Sequence, residues 1–81
     1  RHGLGAQLVA AALDHARSLP HLLLVQLTVT DGNDGARALY ERFGFVAWGR
    51  EPFAVAVGGG HVAKIHMWCP LRALPSPREN P

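Results

Sequence analysis

The protein has 81 residues, of which 48% are hydrophobic and 17% are charged. A chain of this length buries only roughly 60% of its unfolded surface, so we expect one domain with a modest core. The net charge is +2 and the basic residues are scattered, which argues against a nucleic-acid-binding protein. We expect neither a membrane helix nor a leader, because no apolar run is long enough and no charged segment precedes one. The lone Cys69 cannot form an internal disulfide bond, so we predict a cytoplasmic location.

A helix is predicted near the start of the chain. The segment that follows Gly5 is rich in alanine and leucine, and its apolar residues recur at helical spacing. Pro20 disfavours helical dihedral angles in the residue before it, so the helix should end near Ser18 or Leu19. Residues His21 to Thr30 then form a predicted strand, which is apolar on both faces for half of its length.

A second helix and a second strand follow this strand. Residues 31–35 contain two glycines and N-cap candidates, which predicts a loop. Ala36 to Phe43 should form a short helix that Gly44 ends. Phe45 to Trp48 is predicted as a strand that breaks at Gly49 and Glu51-Pro52.

The last predicted element of the sheet is a hairpin. Two apolar stretches, Phe53 to Val57 and His61 to Cys69, flank three consecutive glycines. We assign Trp48, Phe53 and Trp68 to the core of this hairpin, with the acceptor side of the sheet as the alternative. The order helix, strand, helix, strand, strand predicts the α/β class with a mixed sheet. The proline-rich residues 73–81 are expected to be a disordered tail.

The first candidate site is the Gly3-x-Gly5 turn that opens the first helix. Glycines let the backbone approach a ligand closely, and the free N–H groups of a first helical turn attract phosphate. Two alternatives remain open for this pattern. The turn could be a tight connection without a ligand, or part of a dinucleotide-binding unit with Asp31 as its carboxylate. Leu8 stands at the third glycine position, however, and Asp31 lies beyond the usual ~20-residue spacing.

The second candidate site follows the first strand. It has the pattern Asn33-x-x-Ala36-x-x-Leu39-Tyr40-Glu41-x-x-Gly44-Phe45. Combined with the upstream glycine turn and the strand between them, this pattern resembles the acetyl-coenzyme A binding half of the GNAT N-acetyltransferase superfamily. The resemblance covers Arg1 to about Leu71, so residues 1–72 are interpreted as a partial acetyltransferase domain. We expect the N-terminal half of that fold to be missing, because the family has further strands and helices before the phosphate loop.

The resemblance implies a role for each matching residue. The backbone N–H groups of six residues would bind the pyrophosphate of the cofactor: Arg1, His2, Gly3, Leu4, Gly5 and Ala6. Asn33 would hydrogen-bond near the pantetheine arm, and Tyr40 would protonate the departing thiolate. Asn33 and Tyr40 lie about two helical turns apart, so both should point to one side. A phenol stays protonated at neutral pH and can therefore act as a general acid.

Each assignment has a structural alternative. Tyr40 could be a core aromatic residue, Asn33 an ordinary N-cap, and Gly44 a simple helix stop. The histidines lack metal-ligand spacing, since His61 and His66 should face opposite sides of a strand, so no metal is predicted. Cys69 is interpreted as a buried small hydrophobic residue.

Two functions and one assembly state are predicted. The first function is an acetyltransferase that transfers an acetyl group from acetyl-CoA to a primary amine by direct attack. The alternative is a non-catalytic CoA-binding module, or a half-fold completed by a partner chain. The strand Leu22 to Thr30 should expose an edge, since the strand expected before Gly3 is absent, so we predict a homodimer or larger assembly.

Overall fold

The structure is a computed structural model that describes residues 2–74, so the predicted phosphate contact at Arg1 and most of the predicted tail lie outside the described residues. Five elements follow in chain order: α1 (His2–Arg17), β1 (Leu24–Thr30), α2 (Asp34–Arg42), β2 (Val46–Val57) and β3 (Gly60–Pro70). The predicted α/β class and the order of elements are confirmed. No helix among the described residues is long and apolar enough to cross a membrane.

The three strands form one sheet in the order β1-β3-β2. The last strand of the chain therefore lies between the other two. Both pairings are antiparallel, so the sheet of residues 2–74 contains no parallel pair, although a mixed sheet was predicted. A parallel partner for β1 would have to come from outside these residues, since β1 lies at an edge of the described sheet.

One strand prediction was wrong. Residues 46–57 form a single strand, β2, and do not break at Gly49 and Glu51-Pro52. The pairing with β3 instead shifts register twice, between Ala47 and Gly49 and between Glu51 and Val55. A β-bulge accommodates an extra residue without ending a strand, and β2 is an edge strand, where a proline is tolerated. Gly49 and Pro52 therefore accompany irregular pairing between β2 and β3 and do not end the strand.

The helix and strand boundaries also move. β1 begins at Leu24 rather than at His21, and α2 spans Asp34–Arg42 rather than Ala36 to Phe43. The predicted helix stop at Gly44 is confirmed: its φ is +97°, a conformation in which a residue with a Cβ is strained. The hairpin is also confirmed, since β2 and β3 are joined by a turn at residues 58–59.

The core lies between one face of the sheet and the two helices. β3 supplies alternate residues to it, and Met67 is fully buried at its centre. The other members are Leu13, Val29, Phe45, Ile65 and Cys69. The end of β3 is linked to α1 by Arg72, whose guanidinium donates hydrogen bonds to the carbonyl groups of Arg17 and Leu19 at 2.9 and 3.4 Å. The last carbonyl groups of a helix lack intrahelical donors, so Arg72 satisfies the carbonyl of Arg17. The carbonyl of Leu19 lies just beyond the helix and also accepts from the N–H of Leu22.

Candidate functional site

The predicted phosphate-binding segment is the first turn of a helix and not a loop before it. Gly3 to Ala6 lie within α1, which already begins at His2. N–H groups in a first helical turn have no acceptor within the helix, and they carry the positive end of the helix dipole. The first turn of α1 contains no acidic side chain. An anion at this helix end would therefore meet free donors and no opposing carboxylate.

The two glycines of the first turn have different surroundings. A methyl group placed on Gly3 would have no neighbour within 4 Å, whereas one placed on Gly5 would lie 3.4 Å from Cδ2 of Leu39. Gly5 thus allows α1 to pack closely against α2. Gly3 leaves the surface of the helix end open. Packing against Leu39 gives Gly5 a structural role, Gly3 faces open space, and the predicted cofactor contacts of both residues stay predictions.

Tyr40 lies on an apolar cleft between the two helices and β1. Its ring is half-buried and packs edge-on against Phe45, with ring centroids 5.5 Å apart. The cleft has a volume of about 230 Å³ and is lined by Leu8, Val9, Ala12, Leu13, Val25, Leu27, Tyr40 and Phe45. Among the described residues, no group forms a hydrogen bond with the Tyr40 hydroxyl. A phenolic proton on an apolar cleft without an internal acceptor is available to a ligand.

Asn33 is the N-cap of α2. Its side-chain Oδ1 accepts a hydrogen bond from the backbone N–H of Ala36 at 3.2 Å. The side chain is exposed and does not line the cleft that contains Tyr40. The structure therefore accounts for Asn33 by helix capping, and its predicted contact with a ligand stays a prediction.

The profile of the Acetyltransferase (GNAT) family matches residues 1–45, which is more than half of the chain. The chain belongs to the GNAT acetyltransferase family. The matched region contains α1, β1, α2 and Tyr40, so it includes both candidate sites. A comparison with curated proteins finds no significant match.

Solved structures of N-acetyltransferases share the fold. The ribosomal-protein-S18-alanine N-acetyltransferase of Escherichia coli is 25% identical with a TM-score of 0.80, and the match covers 99% of this chain and 51% of that one. The spermidine/spermine N-acetyltransferase of Vibrio cholerae is 28% identical with a TM-score of 0.78, covering 85% and 41%. An N-acetyltransferase of Staphylococcus aureus, 20% identical with a TM-score of 0.77, covers 88% and 45% and shows the fold alone. The GNAT chain thus spans about half of these structures or less.

Other residues singled out in the sequence have simpler roles. Cys69 is buried, as predicted, and its thiol lies 3.5 Å from the carbonyl oxygen of Phe43. Within residues 2–74, no group of three or more histidine, cysteine, aspartate or glutamate side chains is arranged to hold a metal ion. The assignment of Trp48 and Phe53 to the hairpin core was wrong, because their exposed fractions are 54% and 75%.

The sheet face away from the helices carries a cluster that the sequence did not predict. His66 Nε2 lies 3.0 Å from Glu51 Oε1, and the rings of His66 and Trp48 are 5.1 Å apart. Ala47 pairs with the buried Met67, so strand alternation already places Trp48 on the other face of the sheet, together with His66. The bulge adds Gly49 as a second residue opposite His66. We call Trp48, Glu51 and His66 the open-face cluster. The sequence signal that could have found it is strand alternation: where Ala47 and Met67 face the core, their neighbours Trp48 and His66 face the other side.

Proposed function

We propose that the GNAT chain is the cofactor-binding half of an N-acetyltransferase that moves an acetyl group from acetyl-CoA to a primary amine. The observation that carries this proposal is the position of Tyr40, on an apolar cleft that also borders α1. Leu39, which precedes Tyr40 in the sequence, packs against α1 at Gly5. The helix end proposed to bind phosphate and the proposed phenolic donor thus lie on two helices that pack against each other. We also propose a cytoplasmic location, on the ground of the single cysteine.

Acetyl-CoA is a substrate in this proposal, and the described residues fit its two ends. The pyrophosphate would accept hydrogen bonds from N–H groups of the α1 first turn, around Gly3 and Leu4. The pantetheine arm would run along the apolar cleft, and the exposed side chain of Asn33 would contact it outside the cleft, at the start of α2. No carboxylate in the first turn of α1 opposes the phosphate charge.

The reaction places one proton on sulfur and removes one from nitrogen. The acceptor amine attacks the carbonyl carbon of the thioester, so a C–N bond forms and the C–S bond breaks. Tyr40 Oη donates its proton to the departing thiolate, which leaves as a thiol. The ammonium product of the attack loses its proton to a base or to solvent. Tyr40 is the described side chain that we assign to catalysis.

A change at Gly3 tests the phosphate site. We expect Gly3→Val to weaken CoA binding at least tenfold, because the side chain would occupy the open surface at the helix end and crowd the N–H groups. The melting temperature should stay the same or rise slightly, since glycine disfavours a helix and nothing lies near the new side chain. Isothermal titration calorimetry with CoA and thermal unfolding measure the two effects.

The matched control is Gly5→Val. Its side chain would press on Leu39, so we expect a lower melting temperature as well as weaker binding. Unchanged CoA affinity in Gly3→Val would remove the first turn of α1 from the site. Absence of heat with the unmodified chain at millimolar CoA would contradict the proposed function itself.

The second candidate function is a non-catalytic CoA-binding module or a half-fold that a partner completes. The unpaired edge of β1 in the described sheet favours this candidate, because a strand from a partner chain could pair there. Half of a cofactor cleft could also bind CoA without catalysing acetyl transfer. Release of free thiol from acetyl-CoA, measured with polyamines, amino acids and peptides as acceptors, separates the two functions. CoA binding without thiol release supports the module.

We further propose that the chain assembles as a homodimer or larger oligomer. The edge of β1 is unpaired among residues 2–74, and Leu4 and Leu8 on α1 are exposed. Strand pairing or exchange between copies of the chain would cover both. Light scattering at tens of micromolar should give at least twice the mass of 8.7 kDa. A stable, fully folded monomer at that concentration would contradict this proposal.

A further inference from the structure

We propose that Arg72 is a positioning residue for α1, the helix whose first turn is assigned to the cofactor. Its guanidinium donates hydrogen bonds to the carbonyl oxygens of Arg17 at 2.9 Å and Leu19 at 3.4 Å, and it thereby links the end of β3 to the C-terminal end of α1. This link fixes the direction of the helix and so the place of its first turn. The inference rests on the proposed function, because it concerns CoA binding at that turn.

The carbonyl group of Arg17 takes its hydrogen bond from Arg72. The N–H groups of Ser18 and Leu19 serve the three carbonyl groups before it, those of Asp14, His15 and Ala16. Pro20 has no N–H, and no backbone N–H among residues 2–74 donates to the carbonyl of Arg17. Hydrogen bonds from a charged donor are stronger than those from a neutral one. Arg72 therefore supplies a donor that the segment after α1 lacks.

The sheet holds Arg72 itself in place. The N–H of Leu71 donates to the carbonyl of Leu23 at 2.8 Å, which extends the pairing of β1 with β3 by one step beyond Leu24 and Pro70. Leu71 also packs against the core, and Arg72 is partly buried. A hydrogen bond that is partly shielded from water is stronger than an exposed one. The guanidinium thus connects α1 to a fixed part of the sheet.

The packing of α1 is concentrated in its C-terminal half. Leu13 and Ala16 are buried there, whereas Leu4 and Leu8 in the N-terminal half are 65% and 64% exposed. The first turns contact α2 through Gly5. The direction of the helix is therefore set mainly where its second half meets the sheet, which is also where Arg72 binds.

A small rotation at this end of α1 has a large effect at the other end. Gly3 and Arg17 lie about 21 Å apart along the helix, at a rise of about 1.5 Å per residue. A rotation of about 5° around the C-terminal end would move the first turn by about 2 Å. N–H groups donate to oxygen over a narrow range of about 2.7–3.2 Å, so a shift of this size would break contacts with the pyrophosphate. Tyr40 lies on α2 and would keep its place.

Arg72→Leu tests this role. We expect the affinity for CoA, measured by calorimetry on the fully folded chain, to fall about fivefold. The KM for acetyl-CoA should rise by a similar factor, while kcat changes less than about twofold, because the variant weakens cofactor binding and leaves the proton donor in place. A residue that only stabilised the fold would lower the melting temperature and leave the CoA affinity of the folded chain unchanged. Arg72→Lys keeps the charge but lacks the planar fork that reaches two carbonyl groups, so its affinity should lie between the two.

Two controls separate the link from charge and from stability. Arg17→Leu removes a positive charge from the same end of α1 together with its exposed contact to Asp14, but its carbonyl group still accepts from Arg72. Met67→Leu alters the core without touching residues 17–19. Both variants should bind CoA as the unmodified chain does.

The same titrations give the contrary outcomes. Unchanged CoA affinity in Arg72→Leu or Arg72→Lys would overturn the proposal, as would an equal loss in Arg17→Leu or Met67→Leu. If the unmodified chain and Arg72→Leu bind CoA equally well, this inference fails and the proposed function stands. If the unmodified chain gives no heat with millimolar CoA, the proposed function fails, and this inference fails with it.

Discussion

Replacement of Tyr40 by phenylalanine is expected to lower the kcat of acetyl transfer about 100-fold or more, because in the proposed mechanism the departing thiolate loses its proton donor. The ring packing against Phe45 is retained in this variant, and the hydroxyl has no hydrogen-bond partner among residues 2–74. CoA affinity and the free energy of unfolding should therefore change little. Steady-state kinetics, calorimetry with CoA and urea denaturation measure the three quantities.

A matched control separates proton donation from packing. Phe45→Leu removes the aromatic partner of Tyr40 but keeps its hydroxyl, so we expect a loss of stability with a smaller loss of kcat in the folded fraction. Turnover of Tyr40→Phe at the full rate would remove Tyr40 from the mechanism. It would leave the family membership of the chain intact, because that rests on the match over residues 1–45.

Replacement of Met67 by alanine is expected to lower the free energy of unfolding by about 3 kcal/mol, since it opens a cavity at the centre of the core. Met67 is the most deeply buried side chain described, with 0% exposure, and the other core residues surround it. A small domain has little stability in reserve, so the variant should be largely unfolded at moderate urea concentrations. Urea denaturation followed by circular dichroism measures the loss.

Two further variants serve as controls for Met67→Ala. Met67→Leu conserves volume and should cost less than about 1.5 kcal/mol. Val46→Ala removes apolar atoms from a position on β2 that is 56% exposed, and it should change stability by less than about 0.5 kcal/mol. Equal destabilisation by Met67→Ala and Val46→Ala would mean that the core does not lie between β3 and the helices.

Local sequence determined the elements and their order. Short-range forces specify each element. The alanine-rich segment after Gly5 favours a helix, the apolar run before Thr30 favours a strand, and the glycines around position 59 favour a turn. Helical spacing, the strand period and the dihedral freedom of glycine act within a few residues, so the elements can be predicted from the chain alone. The pattern from Asn33 to Phe45, combined with the upstream glycine turn and the strand between them, also identified the family.

Only the tertiary structure decided how these elements meet. Gly5 and Gly3 look alike in the sequence, but α2 lies against Gly5 and leaves Gly3 open. Gly49 and Pro52 looked like strand breaks, but pairing with β3 continues through two register shifts. This pairing with β3 brings Trp48 of β2 beside His66. Contacts of this kind join residues from different strands and helices. They depend on the packing of surfaces that are distant in the chain, which local patterns of residues do not encode.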